Sequence, residues 1–254
     1  MTATGPSRQP HRPDSELYPE VAAAGSLAAA LSQCAAKHAL DLGDVRSSSD
    51  GSSLTFAWVA SRNPQLGGFS VNLGSVERVF IVSAGGRGVT LTHGSTDDLE
   101  QVAAAAAAWH DGVGLVELQA TTPFLEVGAL ALAHERGPEY AVAEKWRVYL
   151  EEDPYVDLEM MRAANAEPRL RALFPYTSHR ALGFSRCTGW PFSRDMAAIE
   201  PLGDGRYALR HHAEEFRAAP NYTAQEAAAL VVSRMAKTWG QAVAGTEHDL
   251  REGD

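Results

Sequence analysis

The chain has 254 residues, 45% of them hydrophobic and 21% charged, enough to bury a sizeable core. A formal net charge of −10 supplies no general attraction to nucleic acid or to an anionic membrane, so neither is expected as a partner. The longest apolar stretch, residues 102–109, is mostly alanine and too short to cross a bilayer, and residues 1–14 have no apolar centre of the kind a secretory signal needs. The two cysteines, Cys34 and Cys187, are far apart in sequence. They are expected as small buried apolar residues in a reducing, cytoplasmic setting, not as a disulfide or a thiolate metal site.

In chain order, residues 1–14 are expected to form a disordered tail. A first helix is predicted over 17–40, with Pro19 in its first turn, a stop at Asp41-Leu42-Gly43, and one buried stripe through Val21, Leu27, Leu31, Cys34, Ala35 and His38. The serine-rich run 47–53 is a loop. Short strands are predicted at 54–60, 68–73, 76–83 and 89–92, where β-formers are punctuated by Gly and Asn, and the glycine-rich element 84–88 turns a hairpin. A second helix starts near Ser95 or Thr96, runs through six alanines to Trp109 and stops at Asp111-Gly112; so slim a face lets a helix lie close to a sheet.

Further along, 115–118 reads as a short strand, and Pro123-Phe124 opens a helical stretch to Arg136. Helices follow over 139–150 and 156–166. Two strands are predicted at 181–187 and 206–210, with a turn at Gly203-Asp204-Gly205. The capping box Thr223-Ala-Gln-Glu226 starts a last helix reaching about Trp239. Residues 243–254 are expected as a flexible acidic tail. The resulting architecture is a single α+β domain over 15–242, with helices packed on a mainly antiparallel sheet in two layers.

Several catalytic signatures are absent. There is no G-x-x-x-x-G-K-[ST] phosphate loop, no G-x-S-x-G elbow and no H-E-x-x-H, since His134-Glu135 is followed by Arg136-Gly137-Pro138. His211 and His212 are adjacent, so on a strand they point to opposite faces and do not share one ion. No metal and no cofactor is expected.

Residues 162–217 are the informative segment. They hold nine arginines and no lysine against six carboxylates, a locally basic stretch inside an acidic chain. Arginine is suited to forked recognition of carboxylate, sulfate or phosphate. Ser185, Arg186, Thr188, Trp190 and Arg194 cluster around a predicted strand end, and His179 and Arg180 precede that strand. With regular alternation, Leu182, Phe184 and Arg186 share one face, and a guanidinium so placed needs an anionic partner: a bound ligand, or a glutamate of the helical layer. His179 is the one candidate base. Trp190, Phe192 and Phe174 read as core, and Arg169, Arg171, Arg206 and Arg217 as solvated. Glu144 and Arg147 are spaced to pair on a helix surface.

These segments resemble an actinobacterial family of unknown function whose members are labelled natural-product biosynthesis proteins. The resemblance rests on LYPEVAAAGSLAAAL at 17–31, the D-L-x-x-V-A-A-A-x-x-x-W pattern at 98–109, H-E-R-G at 134–137, the block at 168–193 and D-G-R-Y at 204–207. It implies a pathway setting more than a reaction; the first reading is a cofactor-free enzyme acting on a small anionic biosynthetic intermediate. A further association is with the paired proteins that close an aziridine ring in azinomycin-type assembly, where an amine displaces a sulfate ester on the neighbouring carbon. On that reading, residue type assigns proton acceptance to His179 and sulfate binding to Arg186 with Arg194 or Arg180. Two other readings stay open: a non-catalytic partner or scaffold for a second biosynthetic protein, and a small-molecule-binding or self-resistance protein. Self-association as a homo-oligomer is open as well. An enzyme requires Arg186, His179 and a second cation around one concave site, whereas a scaffold holds Arg186 in a bridge and exposes apolar surface.

Overall fold

The computed structural model describes residues 12–48, 53–210 and 221–250. The chain divides into two compact units. One is formed by residues up to Gly86 together with Thr90–Gly128, the other by Arg87–Val89 together with Ala129–Asp254. The fold class is α+β with antiparallel sheets, as expected, and the strands are shared between a six-stranded and a four-stranded sheet, one in each unit. No helix among the described residues is long and apolar enough to cross a membrane.

The first unit begins with α1 (Pro19–Ala24) and α2 (Leu27–Lys37), two helices where one was predicted. Gly25 adopts φ 87°, which closes α1 in a left-handed turn, and the Ser26 hydroxyl accepts the Ala29 N–H to cap α2. Val21, Leu27, Leu31, Cys34 and Ala35 are buried as the stripe predicts, while His38 lies outside it, exposed beside Glu100. The sheet is a meander of β1 (Val45–Arg46), β2 (Phe56–Ala60), β3 (Gly68–Leu73), β4 (Phe80–Gly86), β5 (Val89–Thr96) and β6 (Leu125–Glu126). The alanine run forms α3 (Leu99–Asp111), capped by Asp98 and ended by Gly112 at φ 76°. Its Ala103, Ala105 and Ala106 are fully buried, the close approach that a slim helical face permits. Residues 115–118, predicted as a strand, lie in α4 (Leu115–Thr121): Gly114 is followed by two turns whose Leu115 and Leu118 share one buried face, a helical spacing.

The second unit contains α5 (Ala129–Arg136), α6 (Pro138–Glu151), α7 (Leu158–Ala166), α8 (Pro168–Arg171), β7 (Phe174–Ser178), β8 (Ala181–Ser185), β9 (Ala198–Gly203), β10 (Arg206–Arg210) and α9 (Ala224–Arg234). The sheet order is β10-β9-β8-β7. Its core joins Trp146, Met160, Met161 and Leu170 of the helices to Leu182, Phe184, Ile199 and Leu209 of the strands. The capping box at Thr223 and Glu226 forms with both hydrogen bonds, and the helix ends at Arg234 rather than near Trp239. Strands β7 and β9 were not predicted, and each contains a proline. Pro175 is tolerated on the edge strand β7, and Pro201 lies opposite the bulge between Arg206 and Tyr207. Residues 243–250 of the stretch expected as a flexible tail are tied to the unit. Val243 bonds Arg186 O, and a 3-10 turn at Glu247–Asp249 carries its own capping box.

Candidate functional site

The arginine- and aromatic-rich loop after β8 is held by backbone contacts on several sides. The Thr188 N–H donates to Val243 O at 3.0 Å, Gly189 N–H to Gly245 O at 2.7 Å and Trp190 N–H to Gly88 O at 2.8 Å. Gly189 is obligatory by space: a Cβ there would lie 1.8 Å from Arg87 O. The buried Ser185 hydroxyl donates to Cys187 O at 2.7 Å and accepts the N–H groups of Cys187 and Ser193 at 3.1 and 3.2 Å. Ser193 Oγ in turn accepts the Arg186 N–H at 2.9 Å. A segment rich in turn formers is thereby fixed without regular structure, because side-chain hydroxyls satisfy the backbone that a ladder would otherwise pair.

The sequence-selected side chains separate into four groups. His179 and Arg180 form the β7–β8 turn, both exposed and both at positive φ, 51° and 71°. At roughly 3.3 Å per residue, that turn is roughly 20 Å along β8 from Arg186. Ser185 and Thr188 are buried inside the loop. Arg186 is bound to Asp195 through Nε at 2.6 Å and Nη2 at 2.5 Å, and its Cζ lies 4.9 Å from the Trp239 ring centroid. The partner is thus an aspartate nine residues on in the same loop, where a bound ligand or a glutamate of the helical layer was expected. Trp190 and Arg194 are exposed together, with Arg194 Cζ 5.3 Å from the Trp190 ring centroid.

Trp190 was expected in the core and is 56% exposed. It is the outer member of an aromatic step. Its ring meets Phe192 edge-on at 5.7 Å, Phe192 stacks on Tyr176 at 4.9 Å and 21°, and Phe192 also lies 5.6 Å from the buried Phe174. Tyr176 faces Gly183 across the β7–β8 pair, and a Cβ on Gly183 would sit 2.4 Å from Tyr176 Cζ, so the phenol ring covers the glycine. Burial raises the Tyr176 pKa, opposed by the nearby Arg194, so the phenol stays protonated at neutral pH. On the same side of the sheet His134 lies 5.8 Å from Phe174, and burial, with Lys145 nearby, pushes its pKa down to about 4. Asp195, Tyr176 and His134 were not selected from sequence. Only the aromatic density of the block gave a signal, and cross-strand register decides which of those rings meet.

Arg194 forms no carboxylate bridge among the described residues, whereas Arg147 binds Glu144, Glu151 and Glu152 together, extending the pair expected there. Arg171 and Arg206 are exposed as expected, while Arg169 donates to Val232 O and Ala236 O at the end of α9. His211, His212 and Arg217 lie outside the described residues. Among the described residues no group of three His, Cys, Asp or Glu side chains is placed to hold a metal ion.

Residues 140–246 match a family of unknown function (DUF6193), a stretch that runs from α6 past α9 and includes the whole aromatic step. No curated protein and no solved structure matches the chain.

Proposed function

We propose that the protein acts by binding, without catalysis, and that the Trp190–Arg194 surface receives a small anionic molecule with a flat unsaturated part. The observation that carries this reading is the exposed indole with a guanidinium over it that has no carboxylate bridge among the described residues. A ring stacks on Trp190 and a carboxylate or sulfate pairs with Arg194, the two-point recognition for which arginine is suited. In the setting implied by the resemblance, the ligand class is a small anionic biosynthetic intermediate.

The ring-closing reading has less support. An amine that displaces sulfate needs its base and its anion holder around one small substrate. His179 and Arg180 sit at a hairpin tip remote from Arg186, and Arg186 already neutralises Asp195.

A thermal-shift titration tests the proposal, with sulfate, phosphate, benzoate and benzyl alcohol against the wild type, Trp190→Ala and Arg194→Gln, each checked for fold by circular dichroism. Benzoate is expected to give a saturable rise in Tm that benzyl alcohol does not give and that both variants lose. A rise retained in both variants, or no rise with any anion, rejects this surface as the binding site.

A further inference from the structure

The first unit has a face of its own that the reading above leaves unused. Along β2, β3 and β4 alternate residues are buried: Ala57 and Val59, Phe69 and Val71, Phe80 and Val82. Their neighbours occupy the opposite face. The register sets Arg46, Trp58, Ser70 and Ser83 in one row across the sheet, and Phe56, Asn72 and Ile81 in the next. A cavity of about 670 Å³ opens on this face, lined by Arg46, Ser47, Ser53, Phe56, Trp58 and Asn72 among others. That volume is in the range of small-molecule sites, about 300–1,000 Å³.

The indole of Trp58 is held in a defined pose. A Cβ on Gly68 would fall 1.6 Å from Trp58 Nε1 and 2.1 Å from Cε2, so the ring lies across the glycine backbone of the next strand. Arg46 Cζ is 5.6 Å from the ring centroid, and the same guanidinium is 2.8 Å from Asp44 Oδ2. The side chains of Asn72 and Ser47 make no hydrogen bond among the described residues.

We infer that this cavity binds a sugar ring. A pyranose has an apolar C–H face, which matches an indole and a phenyl, and a rim of hydroxyls that both donate and accept, which match an amide, serine hydroxyls and one guanidinium. The competing chemistries fit less well. Arg46 is already neutralised by Asp44, so the site has no surplus cation for an anion. The net charge of −10 opposes nucleic acid. A lipid tail would leave Asn72 and Ser47 desolvated and unpaired. The inference is independent of the Trp190–Arg194 proposal, which concerns the other unit.

Saturation-transfer NMR on the full chain tests it, with the methyl glycosides of glucose, galactose, mannose and N-acetylglucosamine as probes and adenine as a flat aromatic comparator. Transfer to the ring C–H protons of at least one glycoside is expected, abolished in Trp58→Ala, weakened about tenfold in Asn72→Ala and unchanged in Trp190→Ala, where a tenfold loss corresponds to one missing hydrogen-bonding partner. If Trp58→Ala does not fold, the exposed Asn72→Ala decides. No transfer to any glycoside, transfer unaffected by Asn72→Ala, or binding of adenine in place of the sugars overturns the inference.

Discussion

Arg186 and Asp195 are nine residues apart and form an ionic contact with two guanidinium nitrogens on one carboxylate oxygen, Oδ2. The side chains are 16% and 30% exposed, so the pair lies between a screened surface bridge and a buried one. Arg186→Gln and Asp195→Asn are each expected to cost about 2 kcal/mol, between the values typical of surface and buried pairs, and the double variant less than the sum. Urea unfolding of the three variants measures this. A coupling energy indistinguishable from zero would show that the pair does not act as a unit. Because the role is structural, Arg186→Gln is also expected to leave benzoate stabilisation intact, in contrast to Arg194→Gln.

Ser185 was selected as a ligand-binding hydroxyl, and its oxygen instead serves three backbone groups inside the loop. Ser185→Ala leaves the Cys187 and Ser193 N–H groups and the Cys187 carbonyl without that partner in a buried place. The expected loss, read by urea unfolding, is about 3 kcal/mol, at the upper end for unsatisfied buried groups. A loss below about 1 kcal/mol would mean that water replaces the hydroxyl.

Much of the fold was legible because its signals are local. The Thr223 cap and the Asp111-Gly112 stop act within a few residues, and each forms where the sequence places it, whereas α3 starts from Asp98, past the Ser95 or Thr96 expected. The break at Gly25 was local as well, and was missed because the apolar stripe runs through it. Strands β7 and β9, which were missed, contain prolines that an edge position and a bulge accommodate, and neither can be read without knowing the neighbours. The site was the least legible part. Composition singled out a segment but not how its side chains sort, because strand register and loop closure decide that Arg186 meets Asp195 while Arg194 meets Trp190.

Two glycines of the second unit make opposite predictions. At Gly189 a Cβ would lie 1.8 Å from Arg87 O and 2.9 Å from Gly245 O, both main-chain atoms that cannot swing aside. Gly189→Ala is expected to cost about 2–3 kcal/mol and to displace Trp190, reducing anion binding as well. At Gly240 a Cβ meets nothing within 4 Å. Gly240→Ala there restricts the unfolded chain without strain and should gain about 0.5 kcal/mol. Thermal denaturation of both variants checks the pair, and equal effects would contradict the loop geometry.

His134 makes the stability of the second unit depend on pH. Burial and the neighbouring Lys145 lower its pKa from 6.5 to about 4, so the folded state keeps the imidazole neutral where the unfolded chain already binds a proton. The stabilisation is therefore complete above about pH 6.5 and is lost as pH falls through about 4. Its maximum is about 3 kcal/mol at 1.36 kcal/mol per unit, and less in practice because the ring is only partly buried. Carboxylates titrate over the same range, so the measurement is a difference: urea unfolding of the wild type and His134→Leu from pH 7.5 to 4. The variant is expected to gain on the wild type steadily below pH 6.5. Parallel curves, or an imidazole NMR titration centred near 6.5, would place His134 in contact with bulk water and remove it from the covered side of the sheet.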